Sequence, residues 1–421
     1  MKHYHKHKIV ILYIHYSESW SYGSEQSLVT LINQLDKDIY EPIVWTNQPK
    51  LVTQLQLLGI CTQFDEHCLF NPWYTPRLGL RLRYRQYQAC CQLINQYLVD
   101  LIHCNSAGPL QWAILAAHTM NIPIIYHLHS RFPTRGKLAL GVYLCPVIVG
   151  VNQVVNDALI HDGYPQSCTE LIYNGIDTKQ LLAQPGKDMR AEFNLKPQDI
   201  LLASIASQNP HQSIDKLITI TITASLRRQG YPVQLLILGA AKMSALQAHA
   251  QSLNVSEQVH FIAEPTQVVS YLKGGVDIYL AGPDEEVFGL SLIEAQLMGL
   301  SVVAPNIGGI AEVIISGQTG LITTTELEDV SAAIERLISQ PSFRRHLGKC
   351  GAERVLYHFN SHYFYQQFSD LYQKLIFEHG QFDNPYLLQK MRALAKASLK
   401  FAGRLIVNKL TRKTTQRRVF K

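Results

Sequence analysis

The sequence lacks an uninterrupted apolar segment long enough to cross a bilayer. Its longest apolar run, "LALGVYLCPVIVGV" from Leu138 to Val151, is broken by Pro146 and falls short of the roughly 20 residues that a membrane-spanning helix needs. The N-terminal "MKHYHKHKIVILYIHY" is basic and then apolar, as in a signal peptide, but its apolar part is short and no small-residue cleavage site follows. We therefore expect no transmembrane helix and interpret this segment as a buried first strand.

The sequence also lacks paired cysteines. Its eight cysteines form no C-x-x-C pair and no His/Cys spacing suited to zinc, which argues against a zinc site and a disulfide framework. Such scattered cysteines are typical of reduced thiols, so we expect a cytoplasmic protein. Charged residues make up only 17% of the chain and hydrophobic residues 47%, which excludes a disordered protein. A length of 421 residues fits two domains of ordinary size.

Short apolar runs rich in β-branched residues alternate with longer helical patterns. The first half contains "KIVILYIHY", "EPIVWTN", "DLIHCNS", "IPIIYHLHS" and "PVIVGV", and the second contains "DILLASIAS", "VQLLILG", "QVHFIA", "VDIYLAG" and "LSVVAP". Near-continuous apolar runs indicate strands buried on both faces, as in parallel sheets with crossover helices. The sequence therefore predicts an α/β protein with two Rossmann-like, doubly wound domains facing a central cleft, plus a helical C-terminal tail.

The predicted domain organisation has four parts. Residues 1–174 form an N-terminal, acceptor-side domain and residues 175–355 a donor-binding domain, because a polar stretch after "YNGID" separates the two series of strands. Residues 356–383 form helices that return to the N-terminal domain, and residues 384–421 form a basic tail. We expect ligands in the cleft, at the carboxyl ends of the strands.

One segment concentrates polar residues at such a strand end. In "PDEEVFGLSLIEAQLMGLSVVAP", Glu286 lies in the loop after a strand and Glu294 in the second turn of the helix that follows. The backbone N–H groups at the helix start, at Phe288, Gly289 and Leu290, are expected to bind hydroxyl or phosphate oxygens. A solvated glutamate and a helix salt bridge are the alternative reading of this pair. Carboxylates at this spacing suit paired sugar hydroxyls.

The same segment resembles the signature of family 4 glycosyltransferases, which are retaining enzymes of the GT-B fold. "SYGSEQSLVTLINQLD" resembles the family's Gly-Gly-x-Glu loop and first helix, with Tyr22 in place of one glycine and Gly23 kept. "NIPIIYHLHS", "LIYNGID" and "FRRHLGKCGAERVLYHFN" resemble further family segments in the same order. The resemblance covers most of the chain and implies a hexose-type transferase that uses a nucleotide-sugar donor.

The resemblance also implies roles for individual residues. Glu286 is expected to contact the donor sugar, and Glu294 to accept hydrogen bonds from the ribose, since a carboxylate accepts two vicinal hydroxyls well. His129 is expected near the anomeric carbon and the phosphate, although a lone histidine can also simply cap a strand end. Gly23 is expected on the donor side. His127 points the same way on a strand, but the family pattern does not select it.

One departure from the family concerns the diphosphate. The family usually has an arginine and a lysine in "G-R-L-x-x-x-K-G", where this chain has Ser207 and Gln212 in "ASQNPHQSIDKL". These neutral side chains can bind phosphate oxygens but cannot neutralise them, and losing such a group typically costs roughly 100- to 1000-fold in rate. Three explanations stay open: other cations such as Lys242 or His211 compensate, the donor is not a nucleotide sugar, or the enzyme is slow or inactive.

Two rival functions follow from that departure and from the architecture. The first is a catalytically weak or inactive GT-B-like binding or scaffold subunit, favoured by the neutral residues at the phosphate positions. The second is another two-domain enzyme, such as a nucleotide-sugar epimerase, against which the order of the motifs argues. The sequence contains no Asp-x-Asp between a strand and a loop, so we expect no metal requirement and no cofactor.

The positive charge is concentrated at the C-terminus. Residues 384–421 contain six lysines and five arginines without an acidic residue, so the rest of the chain is net negative although the whole carries +6. Apolar residues recur there near helical spacing, which is typical of a helix on an anionic membrane surface. A solvated basic end is the alternative. Nucleic-acid binding is a poor fit, because the tail lacks interleaved aromatic residues.

These observations predict a metal-independent, retaining glycosyltransferase. We expect it to act at the cytoplasmic face of the membrane, as a peripheral protein, on a glycan or lipid-linked acceptor in surface-polysaccharide synthesis. That acceptor follows from the resemblance alone. The residues that select sugar, base and acceptor lie on variable loops such as His67–Gln86, which is basic and aromatic.

Overall fold

The computed structural model describes residues 8–18, 22–67, 69, 80–206, 216–239, 243–263, 265, 267–282 and 288–379. Within these residues the chain divides into two compact units. The first contains the residues up to Tyr173 together with those from Tyr365 onward, and the second is Asn174–Phe364.

The first unit is built on a seven-stranded parallel sheet in the order β3-β2-β1-β4-β5-β6-β7. Its strands are β1 (Ile9–His15), β2 (Tyr40–Thr46), β3 (Cys61–Phe64), β4 (Leu101–Cys104), β5 (Ile124–Leu128), β6 (Val147–Gly150) and β7 (Thr169–Leu171). The central strands are buried on both faces, as their continuous apolar runs predict. Both neighbours of β1 run parallel to it, with Ile11 opposite Leu101 on the β4 side.

Helices cover this first sheet along its length. They are α1 (Tyr22–Gln34), α2 (Pro49–Leu57), α3 (Leu80–Tyr97), α4 (Leu110–Met120), α5 (Thr134–Ala139) and α6 (Gln153–Asp162). The start of α6 is fixed locally, because the Asn152 side chain accepts a hydrogen bond of 2.9 Å from the Val155 amide and so caps the helix.

The second unit repeats this topology with six parallel strands in the order β10-β9-β8-β11-β12-β13. They are β8 (Ile200–Ile205), β9 (Val233–Leu238), β10 (Val259–Ile262), β11 (Ile278–Leu280), β12 (Ser301–Pro305) and β13 (Leu321–Thr323). The helices are α7 (Thr178–Ala183), α8 (Met189–Glu192), α9 (Leu217–Arg228), α10 (Met243–Ser252), α11 (Val268–Leu272), α12 (Leu290–Leu297), α13 (Ile310–Val313), α14 (Leu327–Ser339), α15 (Pro341–His358) and α16 (Ser361–His379). Its core includes Leu202, Leu235 and Ile278, each fully buried.

The last described helix, α16, begins in the second unit and continues into the first. Its later residues pack into the core of the first unit, where the Ser369 hydroxyl lies 2.7 Å from the Tyr40 hydroxyl. Phe368 and Tyr372 are fully buried there. The C-terminal residues of this helix therefore complete the N-terminal unit.

The fold prediction is confirmed: the protein is α/β, with two doubly wound parallel sheets and helices at the C-terminal end. Three strands were not predicted. They are β3, β7 and β13, each at a sheet edge and only three or four residues long. Edge strands are less buried, as the partly exposed "CTQF" of β3 shows, and so lack the continuous apolar pattern. The predicted basic tail, 384–421, lies outside the described residues.

Candidate functional site

The first unit gathers polar side chains where its strand order reverses. The chain winds from β1 toward β2 on one side and from β1 toward β4 on the other, which makes the carboxyl ends of β1 and β4 a topological switch point. His15 ends β1, Asn105 follows β4, and His129 follows the neighbouring β5. Ligands of doubly wound sheets bind at such points, so these residues form the starting point of the candidate site.

A buried carboxylate from the first turn of α1 joins these residues. Glu25 is fully buried, and its Oε1 atom lies 3.2 Å from the His15 Nε2 atom. Two hydroxyls donate to the same carboxylate, Ser17 to Oε1 at 2.7 Å and Ser24 to Oε2 at 3.0 Å. The negative charge is therefore surrounded by polar groups, which a buried carboxylate requires.

Asn105 connects the two histidines of the site. Its amide nitrogen Nδ2 lies 3.1 Å from His15 Nδ1 and donates to the Ser24 carbonyl at 3.1 Å. Its amide oxygen Oδ1 lies 3.0 Å from His129 Nε2. The four side chains of Glu25, His15, Asn105 and His129 thus form one continuous line, which we call the polar relay.

Burial keeps the His129 ring neutral. Removal from water, reinforced by the nearby His15, lowers the pKa of His129 to about 3, and the Glu25 carboxylate opposes this shift only in part. At neutral pH the ring therefore carries one proton. It can act as a hydrogen-bond donor at one nitrogen and an acceptor at the other, and not as a cation.

A layer of aromatic and imidazole rings lies beneath His129. The His127 ring centroid is 3.9 Å from that of His129, and the His103 ring is 5.5 Å from that of His127. Both rings pack against Phe368 of α16, and the Tyr372 hydroxyl lies 2.6 Å from His103 Nδ1. Burial lowers the pKa of His103 and of His127 well below the ordinary value. This layer anchors the end of β5 against α16.

A cavity of about 390 Å³ opens beside the polar relay. Its lining includes the polar residues His129, Asn105, Ser17, Ser24, Ser106 and Ser130 and the apolar residues Phe132, Leu140, Ala107 and Leu69. Hydroxyl and amide groups beside apolar surface suit a hydroxylated ring with one apolar face. The volume falls within the range of small-molecule sites.

The loop after β1 forms a fixed wall of this cavity. The Tyr16 amide donates to the Ser106 hydroxyl at 2.8 Å, and the Ser17 amide donates to the Asn47 side chain at 3.1 Å. The Asn47 amide group donates back to the Ser17 carbonyl at 2.9 Å. These bonds join the carboxyl ends of three neighbouring strands.

In the second unit, α12 begins at the carboxyl edge of the sheet. Its N-cap residue, Gly289, has φ of 88° and ψ of 47°, the left-handed conformation that favours glycine. Phe288 and Leu290 are only 5% and 7% exposed, so any ligand at this helix start would be bound through backbone groups. Glu294, in the second turn, is 3% exposed.

A buried lysine lies beside the carboxyl end of β11, the strand that neighbours β8 where the strand order of the second sheet reverses. Lys216 precedes α9 and is 3% exposed. A Cβ added to Gly282, which follows β11, would collide with the Lys216 ammonium group. This glycine therefore leaves room for a cation at the strand end.

The residues predicted for the site fall into three groups. His129, Phe288, Gly289, Leu290 and Glu294 lie at carboxyl edges of the two sheets, as described above. Gly23 lies in the first turn of α1, where an added Cβ would contact nothing within 4 Å. The remaining predicted residues, Glu286, Ser207 and Gln212, and the alternative cations His211 and Lys242, lie outside the described residues.

Sequence reasoning missed Glu25, His15, Asn105 and Lys216. Glu25 belongs to the quoted Gly-x-Glu segment, but a glutamate at a helix start carries no sequence signal of its burial. His15 and Asn105 each stand at the end of an apolar run, and two such runs adjacent in a sheet bring their end residues together. Among the described residues, no cluster of three or more His, Cys, Asp or Glu could hold a metal ion. No described helix is long and apolar enough to span a membrane.

Two family models match successive parts of the chain. Residues 22–180 match "Glycosyltransferase Family 4", and residues 186–354 match "Glycosyl transferases group 1". Among curated relatives, the D-inositol 3-phosphate glycosyltransferase of Rhodococcus erythropolis (strain PR4 / NBRC 100887) is 27% identical over 275 residues, which are 58% of this chain and 61% of the relative. The corresponding protein of Rhodococcus opacus (strain B4) is also 27% identical over 275 residues, 58% of this chain and 60% of the relative.

Solved structures share the fold at lower identity. A glycosyltransferase from Rickettsia africae ESF-5 superposes with a TM-score of 0.76 at 17% identity, covering 88% of this chain and 99% of that one. The Anabaena protein Alr3699/HepE, solved with UDP-glucose, superposes with a TM-score of 0.73 at 20% identity, covering 87% of this chain and 100% of that one.

Proposed function

We propose that this chain, which belongs to the family 4 and group 1 glycosyltransferases, transfers a sugar from a nucleotide-diphosphate donor to a hydroxyl group of an acceptor. The observation that carries the proposal is the match of both family models, one after the other, to most of the chain. The structure of Alr3699/HepE with UDP-glucose supports a nucleotide sugar as the donor class. We propose retention of configuration and independence of a metal ion on the same family grounds.

The donor is proposed to bind at the carboxyl edge of the second sheet. Glu294 is assigned to the ribose hydroxyls, and the backbone of Phe288, Gly289 and Leu290 to phosphate or sugar oxygens. The position of these residues at the start of α12 supports this assignment, because a helix start offers unpaired N–H groups and positive potential. Glu286 is assigned to the donor sugar from its place in the sequence motif.

Lys216 is proposed as the cation that offsets the missing family arginine and lysine. Its buried ammonium group lies against Gly282 at the switch point of the second sheet, where doubly wound folds bind ligands. A positive charge there would stabilise the diphosphate leaving group, whose charge grows as the glycosidic bond to the donor breaks. Ser207 and Gln212 would then act as neutral hydrogen-bonding partners.

The acceptor is proposed to bind in the cavity beside His129. Its serine hydroxyls and the Asn105 amide can exchange hydrogen bonds with sugar hydroxyls, and Phe132 and Leu140 offer an apolar surface to the face of a ring. His129 is assigned to the reacting sugar as a neutral hydrogen-bonding group. We propose a glycan or lipid-linked acceptor of surface-polysaccharide synthesis and action at the cytoplasmic side of the membrane.

A panel of nucleotide sugars tests this function. The full-length protein is incubated with each compound, and the donor is recognised by the rise in melting temperature that selective binding to the folded state produces. Release of free nucleotide is then measured with that donor and candidate acceptors, with and without a chelator. Nucleotide release that depends on the acceptor and persists with chelator supports the proposal. Selective binding without any release would instead identify a binding subunit.

A further inference from the structure

The contacts of Asn105 determine which atoms of the polar relay donate hydrogen bonds and which accept them. Asn105 Nδ2 donates to the Ser24 backbone carbonyl, which can only accept. This bond favours nitrogen at that end of the amide, because an oxygen there would face a second oxygen, and the contact with His15 Nδ1 contributes to the same choice. Asn105 Oδ1 is therefore the atom that lies 3.0 Å from His129 Nε2.

The direction of Asn105 determines the tautomer of both histidines. Since Oδ1 can only accept, His129 Nε2 carries the ring proton and Nδ1 keeps the lone pair. The second hydrogen of Asn105 Nδ2 points to His15 Nδ1, 3.1 Å away, so that nitrogen is the acceptor and the proton of His15 lies on Nε2. His15 Nε2 is the atom 3.2 Å from the Glu25 carboxylate.

Glu25 stands at the far end of this series, away from the reacting groups. A fully buried carboxylate loses its hydration, and the Ser17 and Ser24 hydroxyls donate to it in place of water. A neutral residue would be easier to bury in this position. The Glu25 charge favours the form of His15 that carries its proton on Nε2. In this form His15 Nδ1 can accept a hydrogen bond from Asn105 Nδ2.

We propose that Glu25 and His15 are positioning residues that act through Asn105 to hold His129 in its Nε2-protonated tautomer. His129 then presents Nδ1 as a hydrogen-bond acceptor to a hydroxyl group of a bound sugar. The inference about turnover rests on the proposed function, whereas the inference about the tautomer does not. Outer partners of metal-bound histidines have an analogous orienting role, and their loss typically reduces activity roughly 10- to 100-fold.

Nitrogen-15 NMR of histidine-labelled protein tests the tautomer directly. Ring nitrogens with and without a proton have well-separated shifts, and the His129 signals are identified by their absence in His129→Asn. We expect a protonated Nε2 and an unprotonated Nδ1 in the wild-type protein. A wild-type spectrum with the proton on His129 Nδ1 would overturn the proposal without any further variant.

The variants Glu25→Ala and Glu25→Gln separate positioning from structural support. Glu25→Ala removes the carboxylate that lies 3.2 Å from His15 Nε2, so the His129 signals should shift toward a tautomer mixture, and kcat should fall roughly 10- to 100-fold while KM for the donor changes little. Glu25→Gln keeps the size of the side chain and an oxygen for the serine hydroxyls but removes the charge, so it should shift the His129 signals as Glu25→Ala does, whereas a purely structural role of Glu25 would leave the Glu25→Gln spectrum like that of the wild-type protein. An unchanged His129 spectrum in Glu25→Ala would refute the relay. If Glu25→Ala does not fold, the His129 spectrum and kcat are compared between His15→Leu and His15→Gln instead.

Discussion

Acidification should destabilise the first unit through four buried histidines. His67, His103, His127 and His129 all belong to that unit, and burial is the largest cause of the lowered pKa of each. His67 is enclosed by the rings of Tyr16, Trp45 and Trp112, and its pKa is about 3, as is that of His129. All four rings are therefore neutral in the folded protein at mildly acid pH.

The sign of the effect follows from proton uptake on unfolding. An unfolded histidine has a pKa of about 6.5, so below that pH the unfolded chain binds protons that the folded chain does not. The stabilisation is complete above about pH 6.5 and is lost progressively as the pH falls toward 3, at no more than about 1.4 kcal/mol per pH unit for each group. Between pH 7.5 and 5.5 each histidine accounts for about 1.4 kcal/mol, and four account for roughly 5–6 kcal/mol.

Urea denaturation followed by tryptophan fluorescence measures this loss in the relevant unit. All four tryptophans of the chain precede residue 174, so their emission reports on the first unit alone. We expect the free energy of unfolding to fall by roughly 5–6 kcal/mol from pH 7.5 to 5.5, a large part of the 5–15 kcal/mol typical of a domain. Carboxylates titrate mainly below this window.

The variant His67→Phe isolates one of the four contributions. Phenylalanine keeps an aromatic ring between the tryptophans and cannot take up a proton, so the pH-dependent loss should shrink by about 1.4 kcal/mol. Ile125→Val, a core change without a titratable group, should lower stability equally at both pH values. A free energy of unfolding that is the same at pH 5.5 and 7.5 in the wild-type protein would refute the reasoning.

Three further predictions concern other parts of the chain. Tyr372→Phe removes the hydroxyl that lies 2.6 Å from His103 Nδ1, so the free energy of unfolding measured with urea should fall by about 1–3 kcal/mol. An unchanged free energy of unfolding would show that this contact does not anchor α16. The double change Ser207→Arg with Gln212→Lys introduces the two cations that the family usually has, so it should tighten the binding of a nucleoside diphosphate measured by calorimetry. An unchanged affinity would point to another leaving group. Deletion of residues 384–421 should release the protein from anionic vesicles, most clearly at low salt, and should leave donor binding unchanged. Vesicle co-sedimentation compares the truncated with the full-length protein, and equal sedimentation of the two would reject the membrane role.

The sequence predicted the central part of each sheet because burial on both faces leaves a continuous apolar pattern. Strands β1, β2, β4, β5 and β6 coincide with apolar runs, and so do β8 to β12. Of the edge strands among the described residues, β3, β7 and β13 escaped because one side of each has no neighbouring strand, so fewer of their residues need to be apolar, whereas β10 keeps the apolar run of residues 258–263. Short strands also give too few residues for a period to be recognised.

The polar relay could not be predicted from local pattern. Its residues are at positions 15, 25, 105 and 129, and only the sheet order brings the ends of β1, β4 and β5 together. The family resemblance selected His129 alone, since a motif identifies groups at the chemistry and not the residues behind them. Glu25 is found only when its complete burial is known, because a glutamate in the first turn of a helix is ordinarily explained by the helix dipole.

The central claim is that the chain moves a sugar from a nucleotide donor and uses Glu294 to do so. The most direct measurement is nucleotide release by the wild-type protein and by Glu294→Ala, with the donor that raises the melting temperature most and with an acceptor present. We predict acceptor-dependent release by the wild-type protein and a loss of orders of magnitude in kcat/KM in the variant, with an unchanged circular dichroism spectrum. Equal release by the two proteins, or none by the wild-type protein with any donor, would contradict it.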